Sequence, residues 1–156
     1  MLSQKDMLFV SSLRKSARKN LTKISKELSI PVSTLFEKLK KLESALIVKH
    51  TAILDFNKLG YTTRAKMLLK VGKKDREKVR EMLSKSEHVN SVYKITNGYD
   101  FLVEGIFRSL KELEAFSENL EERFQITKKN VYFIIDDIKR EKFLSDVELT
   151  KLMKQE

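Results

Sequence analysis

The chain has no cysteine, a single proline, only two histidines and no long apolar run. Without cysteine there is no disulfide framework, no thiolate nucleophile and no CxxC zinc site. His50 and His88 stand far apart with no HxxxH spacing, so a metal centre has little to build on. The stretch GKKDR at 72–76 lacks the Gly-x-x-x-x-Gly-Lys pattern of a phosphate-cradling loop, and no cofactor is expected. No segment approaches the roughly 20 apolar residues of a membrane span. The opening MLSQKDMLFVSSLRKS has no apolar signal-peptide core, which points to the cytoplasm.

What is present is a charged, globular composition. The 156 residues are 41% hydrophobic and 35% charged, enough apolar material for one domain or two small ones. Abundant lysine and glutamate with no cysteine suit a thermophilic source. The net charge of +10 is unevenly placed: residues 1–50 hold eleven Lys or Arg against four Asp or Glu, a surplus of +7, and the remaining 106 residues carry only +3. A basic head on a nearly neutral body suits a nucleic-acid-binding segment joined to a part with another task.

Residues 20–46 read as two short helices around a tight corner. Asn20 is a good N-cap, and Leu21, Ile24 and Leu28 form the apolar stripe of one helix. Ser29 and Ile30 break the period, and Pro31 suits the first turn of the next helix. Leu35, Leu39, Leu42 and Leu46 give that helix its inner face, leaving Ser33, Thr34, Glu37, Lys38 and Lys41 as candidates for base contact in a major groove. Lys15, Arg18, Lys19 and Lys23 crowd the corner before it and, with Lys40, are candidates for phosphate. By spacing alone an ordinary helical hairpin with solvated charges fits as well. A preceding helix over 4–15 brings Phe9, Val10 and Leu13 to the same core, and the β-branched run Ile47–Leu54 predicts a wing or connecting strand. Periodicity is lost over DFNKLG, residues 55–60.

Beyond Tyr61 the pattern alternates. Strands are predicted over 61–71, 88–96, 100–107 and 130–136, with helices over 75–86 and 109–124, in the order β-α-β-β-α-β. Ala65, Met67, Leu69 and Val71 share one strand face, and Val89, Tyr93 and Ile95 another. NGYD, residues 97–100, supplies the hairpin turn, with Asn97 and Gly98 suited to positive φ. Helices on one sheet face leave Met67, Leu102, Ile106, Tyr132 or Ile134 to a partner subunit. The end of the chain predicts a helix opened by a Ser145/Glu148 capping box, either a dimer-clasping arm or a tail on its own domain.

In this order the chain resembles the Lrp/AsnC, or feast/famine, family of transcription regulators. The resemblance rests on Asp6 with Phe9 and Val10, on Arg18, on LTKISKEL and STLFEKLKKLE, on Leu59 and Gly60, and on VYKITNGYDFLV. It covers residues 2–138 and departs from the family pattern at Ser29 and Asn97, where glycine is usual, and after Ala45, where the helix-ending glycine is missing. It implies an α+β chain: an N-terminal winged helix-turn-helix domain over 1–50, a connecting strand or linker over 51–60 and a ferredoxin-like βαββαβ (RAM-type) domain over 61–138, to which the capping-box spacing adds a C-terminal helix over 139–156. It further implies a non-enzymatic regulator that binds double-stranded DNA as a homodimer, tetramer or octamer. An amino-acid effector would lie at Asn97, Gly98, Tyr99 and Asp100. Two other readings stay open: a DNA-organising protein with little sequence preference, and a tetrapyrrole decarboxylase, a relative of this architecture that would use histidine and arginine.

Overall fold

In the computed structural model, which describes residues 2–153, the chain forms two compact units. One comprises the residues up to Ile53 together with those from Ile138 onward, and the other is Leu54–Asp137. The predicted C-terminal helix reached to residue 156, and its last three residues lie outside the described ones.

The first unit is built on three helices. Ser3 and Asp6 cap α1 (Gln4–Lys15) reciprocally: Asp6 N–H donates to Ser3 Oγ at 3.2 Å, and Ser3 N–H donates to Asp6 Oδ2 at 3.0 Å. Asn20 caps α2 (Leu21–Leu28), its Oδ1 accepting from Lys23 N–H at 2.9 Å. The corner is made without glycine: Ser29 adopts the left-handed region at φ 52°, and Ile30 N–H closes onto the Ser25 carbonyl at 3.2 Å. Pro31 is the N-cap of α3 (Val32–Ala45), one residue earlier than the first-turn position its sequence context suggested. Phe9, Val10, Ile24, Ile30, Leu35 and Leu42 form the buried core, and Leu46, expected inside, is about half exposed.

The segment after α3 corrects a sequence expectation. Residues 46–55 contain no strand, and Val48 and Ile53 are exposed. β-branched residues favour a pleated conformation, but a strand persists only where neighbouring backbone completes its ladder, and no described segment pairs with this one. The chain returns to this unit through α6 (Val147–Leu152). Its N-cap is Asp146, whose Oδ1 accepts from the Glu148 and Leu149 amides, not the expected Ser145. The helix packs on α1: the buried Thr150 and Ser11 hydroxyls are hydrogen-bonded at 3.1 Å. Arg14 of α1 also donates to the Phe143 carbonyl at 2.6 Å and to the Glu141 carbonyl at 3.2 Å. The C-terminal segment thus lies on its own head, the second of the two roles considered for it.

The second unit is a four-stranded antiparallel sheet in the order β2-β3-β1-β4, with β1 Thr63–Val71, β2 Val89–Lys94, β3 Phe101–Phe107 and β4 Ile126–Phe133. Helices α4 (Arg76–Lys85) and α5 (Leu110–Arg123) complete the βαββαβ order. Ala65, Met67, Leu69, Val71, Val103 and Phe107 face Val79, Leu83, Leu113, Phe116 and Leu120 in one core. Gly105 is required there, because a Cβ would lie 2.4 Å from the Phe107 ring. Met67 is therefore under the helices, while Leu68, Leu102, Glu104, Ile106, Asn130 and Tyr132 alternate onto the helix-free face.

Two strands differ from expectation. A bulge between Val89 and Ser91 puts Val89 opposite Gly105 but Tyr93 opposite Leu102, so Val89 and Tyr93 point to opposite faces. β4 starts at Ile126 and ends at Phe133, because its register follows β1, whose Val71 pairs with Ile126 and whose Ala65 pairs with Phe133.

Candidate nucleic-acid interface and hairpin turn

The inner stripe of α3 fixes what its other face can present. With Leu35 and Leu42 buried, Ser33, Thr34, Glu37 and Lys41 are all exposed along the opposite arc. Lys38 is not on that arc. It follows Leu35 by three residues and precedes Leu42 by four, so it lies beside the core stripe and is salt-bridged to Asp6 of α1. The pair is part-buried, and the Asp6 carboxyl is held below the ordinary aspartate range. Its burial would raise it, but hydrogen bonds from Lys38 and from the Ser3 hydroxyl and amide, with the Lys38 charge, outweigh that. Lys40, expected at phosphate, stands on the free face, its ammonium 4.7 Å from the centre of the Phe36 ring. Phe36 itself, 49% exposed, escaped the sequence reading although it breaks the leucine period.

The corner gathers the other cations. Lys15, Arg18, Lys19 and Lys23, with Ser16 and Asn20, line one shallow depression at the start of α2. Lys19 is salt-bridged there to Glu27, whereas no ion pair among the described residues involves Lys15, Arg18 or Lys23. The unpaired amides at the α2 N-terminus add positive potential to the same place. An anionic oxygen fits this concavity.

The hairpin turn is occupied differently by each of its four residues. Asn97 and Gly98 both have positive φ, 65° and 88°, and are exposed at the tip. The Tyr99 hydroxyl accepts from Asn130 Nδ2 at 2.8 Å, and the Lys128 ammonium lies 4.8 Å from its ring centre. Asp100 is a structural tie. Its Oδ2 accepts from Val71 N–H at 2.9 Å, and its Oδ1 pairs with Arg76 at 3.0 Å, joining the hairpin to the end of β1 and the start of α4.

A second ionic group was not foreseen. On the helix-free sheet face, Arg64 pairs with Glu104 at 2.6 Å and with Asp137 at 2.6 Å, and Asn90 Nδ2 donates to Glu104 at 2.8 Å. Burial would raise the Glu104 carboxyl, but the Asn90 and Arg64 hydrogen bonds and the Arg64 charge hold it below the usual carboxylate range. The cross-strand pairing of Arg64 with Ile106 places Glu104 on the diagonal, which sequence alone does not reveal. Elsewhere His88 stacks on Phe107 at 5.2 Å, His50 bonds Glu43 at 3.1 Å, and the described residues contain no cluster of three or more potential metal ligands. No helix among the described residues is long and apolar enough to cross a membrane.

The family model described as "Lrp/AsnC ligand binding domain" matches residues 65–144, which include all of the sheet but the first two residues of β1, and the hairpin turn. An uncharacterised HTH-type transcriptional regulator of Pyrococcus abyssi is 30% identical over 90% of this chain and 97% of its own length. The chain belongs to the Lrp/AsnC family. Another relative, the HTH-type transcriptional regulator FL11 of Pyrococcus abyssi, is 35% identical over 74% of the chain and 77% of its own length. A transcriptional regulator of Neisseria meningitidis, solved as a complex with L-methionine, shares the fold at a TM-score of 0.83 and 19% identity, covering 90% of this chain and 94% of that one. As a member of the Lrp/AsnC family the protein is a DNA-binding transcription regulator of the helix-turn-helix type, with a ferredoxin-like second unit.

Proposed function

We propose that this Lrp/AsnC regulator reads specific DNA sites as a homodimer or higher oligomer, with an amino acid as effector. The observation that carries the DNA reading is the division of labour in the first unit. α3 leaves Ser33, Thr34, Glu37 and Lys41 exposed on one arc, and the adjoining corner collects Lys15, Arg18, Lys19 and Lys23. Base edges take the first set and phosphates the second, with Lys40 at the border. Lys38 acts through its link to Asp6, by holding α3 against α1.

Pairing of two copies through the helix-free sheet face would cover Leu68, Leu102, Tyr93 and Tyr132. The effector reading draws on the L-methionine complex of the Neisseria relative and on the position of the turn. Since the Asp100 carboxylate already serves Val71 and Arg76, the ligand's ammonium and carboxylate would meet backbone groups of Asn97 and Gly98 and the flank of Tyr99.

Selection of bound fragments from genomic DNA tests the whole reading. Recovered sites should show two half-sites spaced near one helical turn or a multiple of it. A specificity ratio near one at physiological salt would replace the regulator by a DNA-organising protein. For the effector, a thermal-shift screen of the twenty amino acids should give stabilisation by at least one of them at millimolar concentration, and none would remove the sensor role.

A further inference from the structure

α3 carries a feature that charge and hydrogen bonding do not account for. Phe36 is 49% exposed and Val32, one turn earlier, 41% exposed, so the two form a short apolar strip beside Ser33 and Glu37. Neither belongs to the buried core of the unit, which is built from Leu35 and Leu42 on the same helix. The Lys40 ammonium, 4.7 Å from the ring centre, lies one turn further on and covers part of the ring. The strip therefore occupies the N-terminal half of the helix, the half that reaches base edges.

We propose that Phe36 is a specificity-determining residue that reads thymine through its C5-methyl group. This rests on α3 being the base-reading helix. In the major groove the groups that distinguish the bases are polar donors and acceptors, apart from the thymine C5-methyl, the one apolar substituent on offer. A half-exposed phenyl ring flanked by Val32 gains by covering that methyl and loses by facing an amino group or a bare N7, whose hydration it would strip without replacement. Lys40 on the ring leaves the forward edge of Phe36 and Val32 for the base, and its ammonium is placed to follow toward a phosphate. The half-site is accordingly expected to hold a thymine opposite position 36, beside whatever Ser33 and Glu37 read.

The test uses the full chain and duplexes taken from a random-library selection, with each thymine of the selected half-site replaced in turn by deoxyuridine, which removes the methyl and keeps the pairing edge. One replacement should weaken binding about fourfold, the equivalent of about 0.8 kcal/mol for one methyl-sized group, and the others less than twofold. Phe36→Ala should bind the thymine and uracil duplexes equally, and Phe36→Leu should keep part of the preference. A 5-methylcytosine at that position should restore affinity relative to cytosine in the unsubstituted protein only. Uniform tolerance of deoxyuridine, or an undiminished preference in Phe36→Ala, would overturn the inference while leaving DNA binding intact. Should no duplex be retained, the DNA reading and this inference fail together. If Phe36→Ala unfolds, the deoxyuridine series on the unsubstituted protein and Phe36→Leu still decide.

Discussion

Lys38 of α3 is salt-bridged to Asp6 of α1, and Asp6 is the same residue that closes the capping box with Ser3. One carboxylate thus joins the start of α1 to the middle of α3. Lys38→Ala is expected to destabilise the first unit by about 1 kcal/mol and to weaken binding to specific and random DNA by the same factor. A double-mutant cycle with Asp6→Ala should recover a coupling of that order. Because the folded-state Asp6 carboxyl is held below its ordinary value, its contribution is present above about pH 4 and is lost as pH falls through the lowered value. A selective loss on specific DNA would return Lys38 to the base-reading set.

The corner cations act on phosphate and should show it through salt. Replacing Arg18 or Lys23 by Ala should lower the slope of log K against log salt by about one unit each. Lys19→Ala should lower it less, because Glu27 already neutralises that ammonium. Titrations at three salt concentrations on one specific and one random duplex separate these outcomes. Slopes unchanged from that of the unsubstituted protein in all three variants would mean that the depression is not a phosphate seat.

Glu104 holds the helix-free face of the sheet through Arg64 and Asn90. Glu104→Gln is expected to cost about 2 kcal/mol at pH 7, with Arg64 retaining Asp137. The sign with pH follows from the direction of its shift: a carboxyl lowered on folding stabilises above the ordinary glutamate value, about 4.3, and loses that contribution below it. Urea unfolding of the two proteins should therefore differ at pH 7 and converge toward pH 3. A constant gap would assign the effect to packing.

The hairpin tip makes separable demands on its two central residues. Asn97→Gly should be nearly neutral, since glycine adopts φ 65° freely, whereas Gly98→Val should cost about 1–2 kcal/mol because a branched side chain resists φ 88°. Thermal unfolding measures both.

Arg14 fastens the returning chain to α1 through the Phe143 and Glu141 carbonyls. Arg14→Ala should speed amide exchange over 145–153 while leaving 21–45 close to unchanged. Equal acceleration in both stretches would show that α6 and the helix-turn-helix open as one cooperative body.

Much of this was legible in the sequence, and the particulars explain the remainder. Asn20, the leucine stripes and the β-α-β-β-α-β order are local signals, set within a turn or two of chain, and they placed the elements. Lys38 was expected among the base-contact residues and instead lies beside the core stripe, between Leu35 and Leu42, because its partner Asp6 is 32 residues away and no local pattern names it. The bulge that reverses Val89 relative to Tyr93 is a property of the pairing with β3. β4 was expected late because Thr127, Lys128 and Lys129 dilute the apolar alternation, and only the register with β1 recruits them. Residues 47–54 have a strand's composition and no strand's neighbour. Phe36 stood in plain view as an aromatic off the leucine stripe.

The return of the chain to α1 also sets an order of events during synthesis. Residues from Ile138 onward complete a unit that begins near the N-terminus, so the sheet unit lies between the two halves of the head in the order of translation. At a ribosome speed of about 5–20 residues per second, the α1 surface waits on the order of ten seconds for α6 after the helix-turn-helix has been made. During that interval Ser11 and the Phe9-bearing helix have no C-terminal cover, and a nascent chain released early would carry three helices with an unfinished side. The helix-turn-helix is made before the sheet unit, and the head is closed only after it.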